Sequence, residues 1–146
     1  MNFRFTLLFV CDQAHFYSSF IDAFVATDVQ VLIARNVAQA EAFLLRSPVH
    51  GILLRHDGNR DDRRLASQLK RIAPRVPIFL LTDQAQPRQP DIESIWRADL
   101  GDETIARAMA LFFSQVFKPP GLFGAEKTIL GEADFLFRGI TPQGSG

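Results

Sequence analysis

Short apolar runs alternate with segments of helical period along this 146-residue chain, and that alternation limits the folds open to it. Each run is too short for a helix and is apolar at successive positions, as expected for strands buried on both faces. Strands that alternate with helices predict a parallel sheet with right-handed crossovers and helices on both sides. The five predicted strands are Phe5–Cys11, Val29–Ala34, Gly51–Leu54, Pro77–Thr82 and Ser94–Arg97.

Four helices are predicted between and after these strands. The first spans Asp12–Ala26 and repeats phenylalanine at every fourth position. The second begins after Asn36, where Gln39 completes a capping-box pattern. The third carries leucines and isoleucine at helical spacing until Pro74, and the fourth follows Gly101 with acidic residues in its first turn. Prolines and glutamines between the fourth and fifth strands predict an irregular loop with a short helix or none.

These elements predict an α/β fold, a flavodoxin-like, doubly wound sheet of five parallel strands in the order 2-1-3-4-5. A functional site is expected at the carboxyl edge of the sheet, where the ends of strands one and three lie side by side. We assign residues 1–117 to this domain and residues 118–146 to a connector that begins at Lys118-Pro119-Pro120 and has too few residues for its own core.

Composition excludes several classes of function. Lys plus Arg and Asp plus Glu both number 16, so the net charge is zero, which argues against binding nucleic acid or an anionic membrane. The single cysteine, Cys11, allows no internal disulfide, and the first apolar run ends at Asp12 without a cleavage site. We therefore expect a cytoplasmic protein. Of the three histidines, His50 and His56 flank a short strand that would hold them at opposite ends, so we expect no metal site from them. The phosphate-binding and nucleophile-elbow glycine motifs are absent.

The order of elements resembles the receiver domains of bacterial response regulators. Receivers have acidic residues after the first strand, a phospho-accepting aspartate after the third, a hydroxyl after the fourth and a lysine after the fifth. Here these positions fall on Cys11 and Asp12, on Arg55, on Thr82 and near Ala98. A guanidinium cannot be a phosphoryl nucleophile, and one carboxylate is a poor magnesium site. The resemblance implies a receiver-like architecture without phosphorelay chemistry, with Asp57 as a residual acceptor candidate beside Asp12 and Thr82.

Phenylalanine is the most unusual part of the composition, with 14 residues against one tyrosine and one tryptophan. The predicted topology places the first and last helices on the same face of the sheet, where most of their phenylalanines would cover the strands. Those in excess of the core are the candidates for a protein interface. The interface candidates are Phe16, Phe20, Phe24, Phe112, Phe113, Phe117, Phe135 and Phe137.

A narrower resemblance covers most of the chain. The runs Gly51–Leu54 and Arg75–Asp83, and the final strand and helix that lead into Lys118-Pro119-Pro120, resemble the N-terminal wing domain of bacterial inducible Orn/Lys/Arg decarboxylases. Thr141-Pro142 matches the start of a T-P-G-H motif that opens the pyridoxal-phosphate core of that family, but Gln143-Gly144 replaces its glycine and histidine.

The wing resemblance implies a non-catalytic role in oligomer assembly or regulation, with a guanosine-tetraphosphate alarmone as a possible ligand near the boundary with the core. It implies no cofactor in this chain, since pyridoxal phosphate would belong to a parent enzyme, a carboxy-lyase. Three hypotheses follow: a decarboxylase wing that contacts itself or a core domain, a free-standing pseudo-receiver that binds a protein partner, and a phospho-accepting receiver that uses Asp57.

Overall fold

A computed structural model describes residues 3–56 and 61–117 of the chain. Five parallel strands form one sheet in the order β2-β1-β3-β4-β5, which confirms the predicted flavodoxin-like topology. The strands are β1 (Phe5–Val10), β2 (Val29–Ala34), β3 (Gly51–Arg55), β4 (Ile78–Thr82) and β5 (Ser94–Arg97), and the helices are α1 (Tyr17–Ala23), α2 (Val37–Arg46), α3 (Asp62–Ile72) and α4 (Asp102–Val116).

The register of the central strands sets the faces of the sheet. Leu7 of β1 is paired with Val31 of β2 and with Gly51 of β3, so β1 is hydrogen-bonded on both sides. Successive side chains of a strand point to opposite faces. Phe9 therefore packs on the α1 and α4 side, whereas Leu8 packs on the α2 and α3 side.

The two faces are filled by different side chains. Beneath α1 and α4 lies a layer whose buried aromatic residues are Phe5, Phe9, Phe20, Phe24, Phe79, Trp96 and Phe113. We call it the aromatic layer. Beneath α2 and α3, the buried residues are leucine, isoleucine, valine and alanine, and within residues 3–56 and 61–117 the one aromatic neighbour is the half-buried Phe43. We call it the aliphatic layer.

The first helix is shorter than the predicted Asp12–Ala26. A 3-10 turn at Ala14–Phe16 precedes α1, and no side chain caps either segment at its N-terminus. After Ala23 the chain turns, and the Thr27 hydroxyl donates to the Phe24 carbonyl at 2.7 Å. The spacing of the phenylalanines survives because the turn and the helix follow one another without a break.

The cap of α2 is confirmed. Asn36 Oδ1 accepts a hydrogen bond from the Gln39 backbone N–H at 2.9 Å, which satisfies one of the free amides of the first turn. Gln39 Oε1 in turn accepts from the backbone N–H of Arg35, one residue earlier than in the predicted box. The loop between β4 and β5 contains no helix, as its prolines predict.

At the amino edge of the sheet, a histidine side chain accepts a hydrogen bond from a backbone amide of β1. His50 Nδ1 accepts from the backbone N–H of Thr6 at 3.0 Å, and the imidazole packs against Phe5, Phe113 and Phe117. Burial lowers the pKa of His50 below its ordinary value, so the neutral ring is the form that accepts this bond.

Candidate functional site

A cleft of about 290 Å³ opens at the carboxyl edge of the sheet, where the sequence places the site. Its floor is formed by the buried side chains of Phe9, Phe20 and Leu81. Its walls come from the start of α1, from the ends of β3 and β4, and from the segment that leads into α4. The cleft therefore occupies the place where a flavodoxin-like sheet positions a ligand or a reacting group.

Arg55 stands at the end of β3, the position of the receiver acceptor. Its side chain is only 8% exposed, and its Nη2 lies 3.0 Å from Asp83 Oδ2. The guanidinium lies over the ring of Phe16, with Cζ 4.4 Å from the centroid, within the range of a cation–π contact. Asp83 is 71% exposed, so solvent weakens the ion pair, and the ring and the surrounding protein contribute to holding Arg55 in place. A cation is thus built into the site where a receiver has a nucleophile.

Thr82 keeps the hydroxyl position at the end of β4, but this hydroxyl is engaged within its own loop. Its Oγ1 donates to the Gln84 carbonyl at 3.0 Å and accepts from the Gln84 backbone N–H at 3.2 Å. The side chain is fully buried. Thr82 therefore stabilises the turn after β4.

The acid pair of receivers is reduced to one exposed carboxylate. Cys11 is buried and Asp12 is exposed directly after β1. The Tyr17 hydroxyl donates to the Cys11 carbonyl oxygen. Burial raises the pKa of the Tyr17 phenol above its ordinary value, with the nearby Cys11 thiol adding to the shift, so the phenol stays a donor. No cluster of three potential metal ligands occurs within residues 3–56 and 61–117.

The residual acceptor candidate, Asp57, lies outside the described residues. The residues on either side of that segment are joined, because His56 Nδ1 is hydrogen-bonded to Asp62 Oδ2, and Asp62 is buried at the start of α3. His50 and His56 lie at opposite ends of β3, as the sequence predicts. Ala98, near which the sequence places the receiver lysine position, lies in a 3-10 turn at the wall of the cleft.

The interface candidates separate into three groups. Phe20, Phe24 and Phe113 are at most 2% exposed and belong to the aromatic layer, so we correct their assignment: they face the sheet, where Phe20 stacks on Phe9 at 4.2 Å. Phe16 and Phe112 are half-buried, and Phe117 is 41% exposed at the end of α4. Phe135 and Phe137 lie outside the described residues.

Sequence reasoning missed two contributors to the cleft. Asp83 lies in the segment whose sequence predicts an irregular loop, yet it pairs with Arg55. Ser19 Oγ donates to Asp102 Oδ2 at 3.0 Å and so joins α1 to the first turn of α4 across the cleft. The sequence identifies Asp102 as the start of a helix, because an acid in the first turn is favourable there. Nothing in the sequence identifies Ser19 as its partner.

Solved structures with the same arrangement are receiver domains. The signal receiver domain of an HD domain-containing protein from Pseudomonas fluorescens Pf-5 aligns with a TM-score of 0.62 at 18% identity, over 75% of this chain and 95% of that one. The receiver domain of the Francisella response regulator 1452 aligns with a TM-score of 0.63 at 9% identity, over 76% and 98% of the two chains. The fold is a receiver fold.

A third neighbour, a response regulator receiver domain protein from Methanospirillum hungatei JF-1, aligns with a TM-score of 0.61 at 11% identity over 72% of this chain and 90% of that one. No protein-family model and no curated protein matches the sequence. At these identities the likeness establishes the architecture, and the function has to be argued from the site. Among the described residues, no helix has both the length and the apolar character needed to cross a membrane.

Proposed function

We propose that this chain is a pseudo-receiver, a module that keeps the receiver architecture and binds a protein partner without being phosphorylated. The single observation that supports this function most directly is the position of Arg55. Its side chain is buried at the acceptor position, paired with Asp83 and stacked on Phe16.

Phosphoryl transfer to a receiver requires a carboxylate nucleophile and a magnesium ion held by several hard oxygen ligands. Arg55 has no lone pair available for attack, because its guanidinium remains protonated. Asp12 is a single exposed carboxylate, and the Thr82 hydroxyl is engaged with Gln84. The acceptor position is thus occupied by a cation, the acid pair is reduced to one carboxylate, and the threonine hydroxyl is engaged in its own loop, while the sheet beneath them is intact.

The surface offers apolar side chains for a partner. Val25, at 55% exposed, follows α1, and Val116 and Phe117, at 50% and 41%, lie at the end of α4. These residues lie toward the amino edge of the sheet, away from the cleft. Under the proposed function, these side chains are candidates for an apolar part of the protein contact.

A phosphodonor experiment tests the absence of phosphorylation. The full chain is incubated with acetyl phosphate and magnesium and measured by intact-protein mass spectrometry, beside a phosphorylatable receiver domain as positive control. We expect the control to gain a phosphoryl group and this chain to gain none. A mass gain would contradict the proposal, and its disappearance in Asp57→Asn would identify the acceptor as the aspartate two residues after Arg55 in the sequence.

The decarboxylase wing remains a second candidate, supported by the sequence resemblance that includes Lys118-Pro119-Pro120 after α4. The oligomer-assembly role of the wing differs from the first candidate in requiring self-assembly. Light scattering coupled to size exclusion distinguishes them: a defined oligomer supports the wing, whereas a monomer at high concentration contradicts it. A reading frame that continues into a pyridoxal-phosphate domain would support the wing independently.

A further inference from the structure

We propose that the exposed face of α3 is a docking surface for an acidic segment of a partner protein. This inference rests on the proposed function, because it names the surface and the partner class of the pseudo-receiver. The surface consists of Arg63, Arg64 and Arg71, which we call the arginine face.

The charge of α3 is almost entirely positive at its surface. Asp62, the one acid within the helix, is buried and hydrogen-bonded to His56. Asp61, which precedes the helix, caps it by accepting the Arg64 backbone N–H at 3.2 Å. Lys70 Nζ donates to the Val76 carbonyl at 3.0 Å, so its ammonium is directed toward the loop after the helix.

The three arginines of the arginine face are exposed. None of them forms an ion pair with another side chain in the part of the chain that the structure describes. This contrasts with Arg55, which is buried and paired. Guanidinium groups in this state are available for paired hydrogen bonds with carboxylates.

The arginine face has a shape that suits a linear acidic segment. Arg64 and Arg71 are seven residues apart, which places them about 10 Å from one another along the helix axis. Ser67 and Gln68 lie between them and supply further hydrogen-bonding groups. They line a depression of about 430 Å³ together with the three arginines and with Asp61, whose carboxylate lies at the start of the helix, at the opposite end from Arg71. Two carboxylates that are two turns apart on a helix match this spacing.

A protein partner fits the distribution of charge better than a nucleic acid. Helices α2 and α3 together contain five basic and two acidic residues, a net charge of +3, whereas α1 and α4 contain one basic and three acidic residues, a net charge of −2. The chain is neutral overall. A duplex requires a wide basic surface to neutralise several phosphates, and here the net positive charge of the two helices comes from α3 alone, since Arg46 and Glu41 balance on α2.

Fluorescence anisotropy with the full chain tests the surface. The probe is a labelled helical peptide with glutamates at positions i, i+3 and i+7, and the matched peptide has glutamine at those positions. We expect the glutamate peptide to bind and the glutamine peptide to bind at least about 10-fold more weakly. Increasing the salt concentration from about 0.05 M to about 0.3 M should weaken binding, because exposed charges are screened.

Charge reversal locates the binding surface. The double variant Arg64→Glu/Arg71→Glu should reduce the affinity about 10-fold or more, whereas Arg107→Glu, an exposed arginine on α4, should leave it within about 2-fold. Circular dichroism confirms that each variant is folded. Equal losses from both variants, or no binding of the glutamate peptide, would overturn the inference.

A DNA duplex of about 20 base pairs serves as the competing probe, and tighter binding of the duplex than of the peptide would also overturn the protein assignment. The phosphodonor experiment reports on the proposed function separately. A chain that takes no phosphoryl group and fails to bind the peptide retains the pseudo-receiver function and loses this docking surface. If the chain is phosphorylated, the pseudo-receiver function is contradicted, and the peptide assay still decides whether the arginine face is a docking surface.

Discussion

The aromatic and aliphatic layers cover opposite faces of the same five strands, yet they are stabilised in different ways. In the aromatic layer, large rings contact one another, as Phe79 does with Trp96 at 5.7 Å and with Phe112 at 5.3 Å. In the aliphatic layer, small branched side chains pack beneath helices whose first turns are capped by Asn36 and Asp61. The helices over the aromatic layer have no side-chain cap. Where local caps are missing, ring packing contributes the stability that positions α1 and α4.

The difference between the layers also has a functional side. The cleft with Arg55 opens toward the aromatic layer, because Phe9, Phe16 and Phe20 line it. The arginine face lies on the opposite helical layer. The fold thus places a buried, paired arginine and the exposed arginines of α3 on opposite sides of the sheet. The following experiments test whether the two layers beneath them differ in packing and stability.

The largest expected effect comes from exchanging two neighbouring residues of β1. In the double variant Leu8→Phe/Phe9→Leu the composition is unchanged, but a ring enters the aliphatic layer and leaves the aromatic layer. Both positions are at most 1% exposed. Overpacking on one side and a cavity on the other should lower the free energy of unfolding by about 3–5 kcal/mol, measured by urea denaturation. A cost below about 1 kcal/mol would mean that the layers are interchangeable.

A smaller effect is expected at Gly51, where the aromatic layer approaches the backbone of β3. A Cβ at this position would lie 2.7 Å from Cζ and 2.8 Å from Cε1 of Phe113. Because Phe113 is fully buried, its ring cannot move freely, and Gly51→Ala should cost about 1–3 kcal/mol.

Adding Phe113→Leu tests the cause of that cost. A leucine leaves space for the new methyl group, so the double variant should be more stable than the sum of the two single changes predicts, by about 1 kcal/mol in a double-mutant cycle. Strict additivity would show that Gly51 is required for a reason other than the ring.

The smallest expected effect is a pH dependence of the free energy of unfolding that comes from His50, which packs against the aromatic layer. The pKa of His50 is lower in the folded chain than its ordinary value near 6.5, because burial disfavours the imidazolium. The unfolded chain therefore binds the proton more readily, so the contribution of His50 is complete above about pH 6.5 and is lost as the pH falls through its folded pKa.

His50→Asn removes the titrating ring and provides another acceptor for the Thr6 amide. We expect the free energy of unfolding to decrease less in this variant than in the wild type between about pH 7.5 and pH 5, measured by urea denaturation at each pH. Substitution of the exposed His15 by asparagine is the control for removing an imidazole. An unchanged slope in His50→Asn would assign the acid sensitivity to other groups.

Much of the architecture follows from local sequence signals. The alternation of apolar runs predicts the parallel sheet, and the strand order follows from the topology common to small doubly wound domains. The bounds Val29–Ala34 and Ser94–Arg97 are reproduced by the structure. The cap at Asn36 follows from a side chain that reaches an amide three residues away. The late start of α1 was not predicted, because the 3-10 turn before it contains the same periodic phenylalanine, Phe16, as a longer helix would.

The site was predicted only in part. The placement of Arg55 and Thr82 at the carboxyl edge follows from strand order, since each ends its strand. Their contacts depend on tertiary structure. Phe16, in the turn before α1, contacts Arg55 at the end of β3, and Ser19 on α1 is hydrogen-bonded to Asp102 on α4. The phenylalanines illustrate the same limit, because helical spacing cannot distinguish a ring that faces the sheet, such as Phe20, from one at the surface, such as Phe117.

The Arg55 side chain has a consequence for timing. An acyl phosphate on a receiver is hydrolysed, so its signal decays with a lifetime of its own. An arginine is encoded in the gene and has no such lifetime. Under the proposed function, occupancy of the partner follows mass action alone: it rises and falls with the concentrations of the two proteins relative to their Kd. The cell would set the strength of the output through synthesis and degradation of the chain.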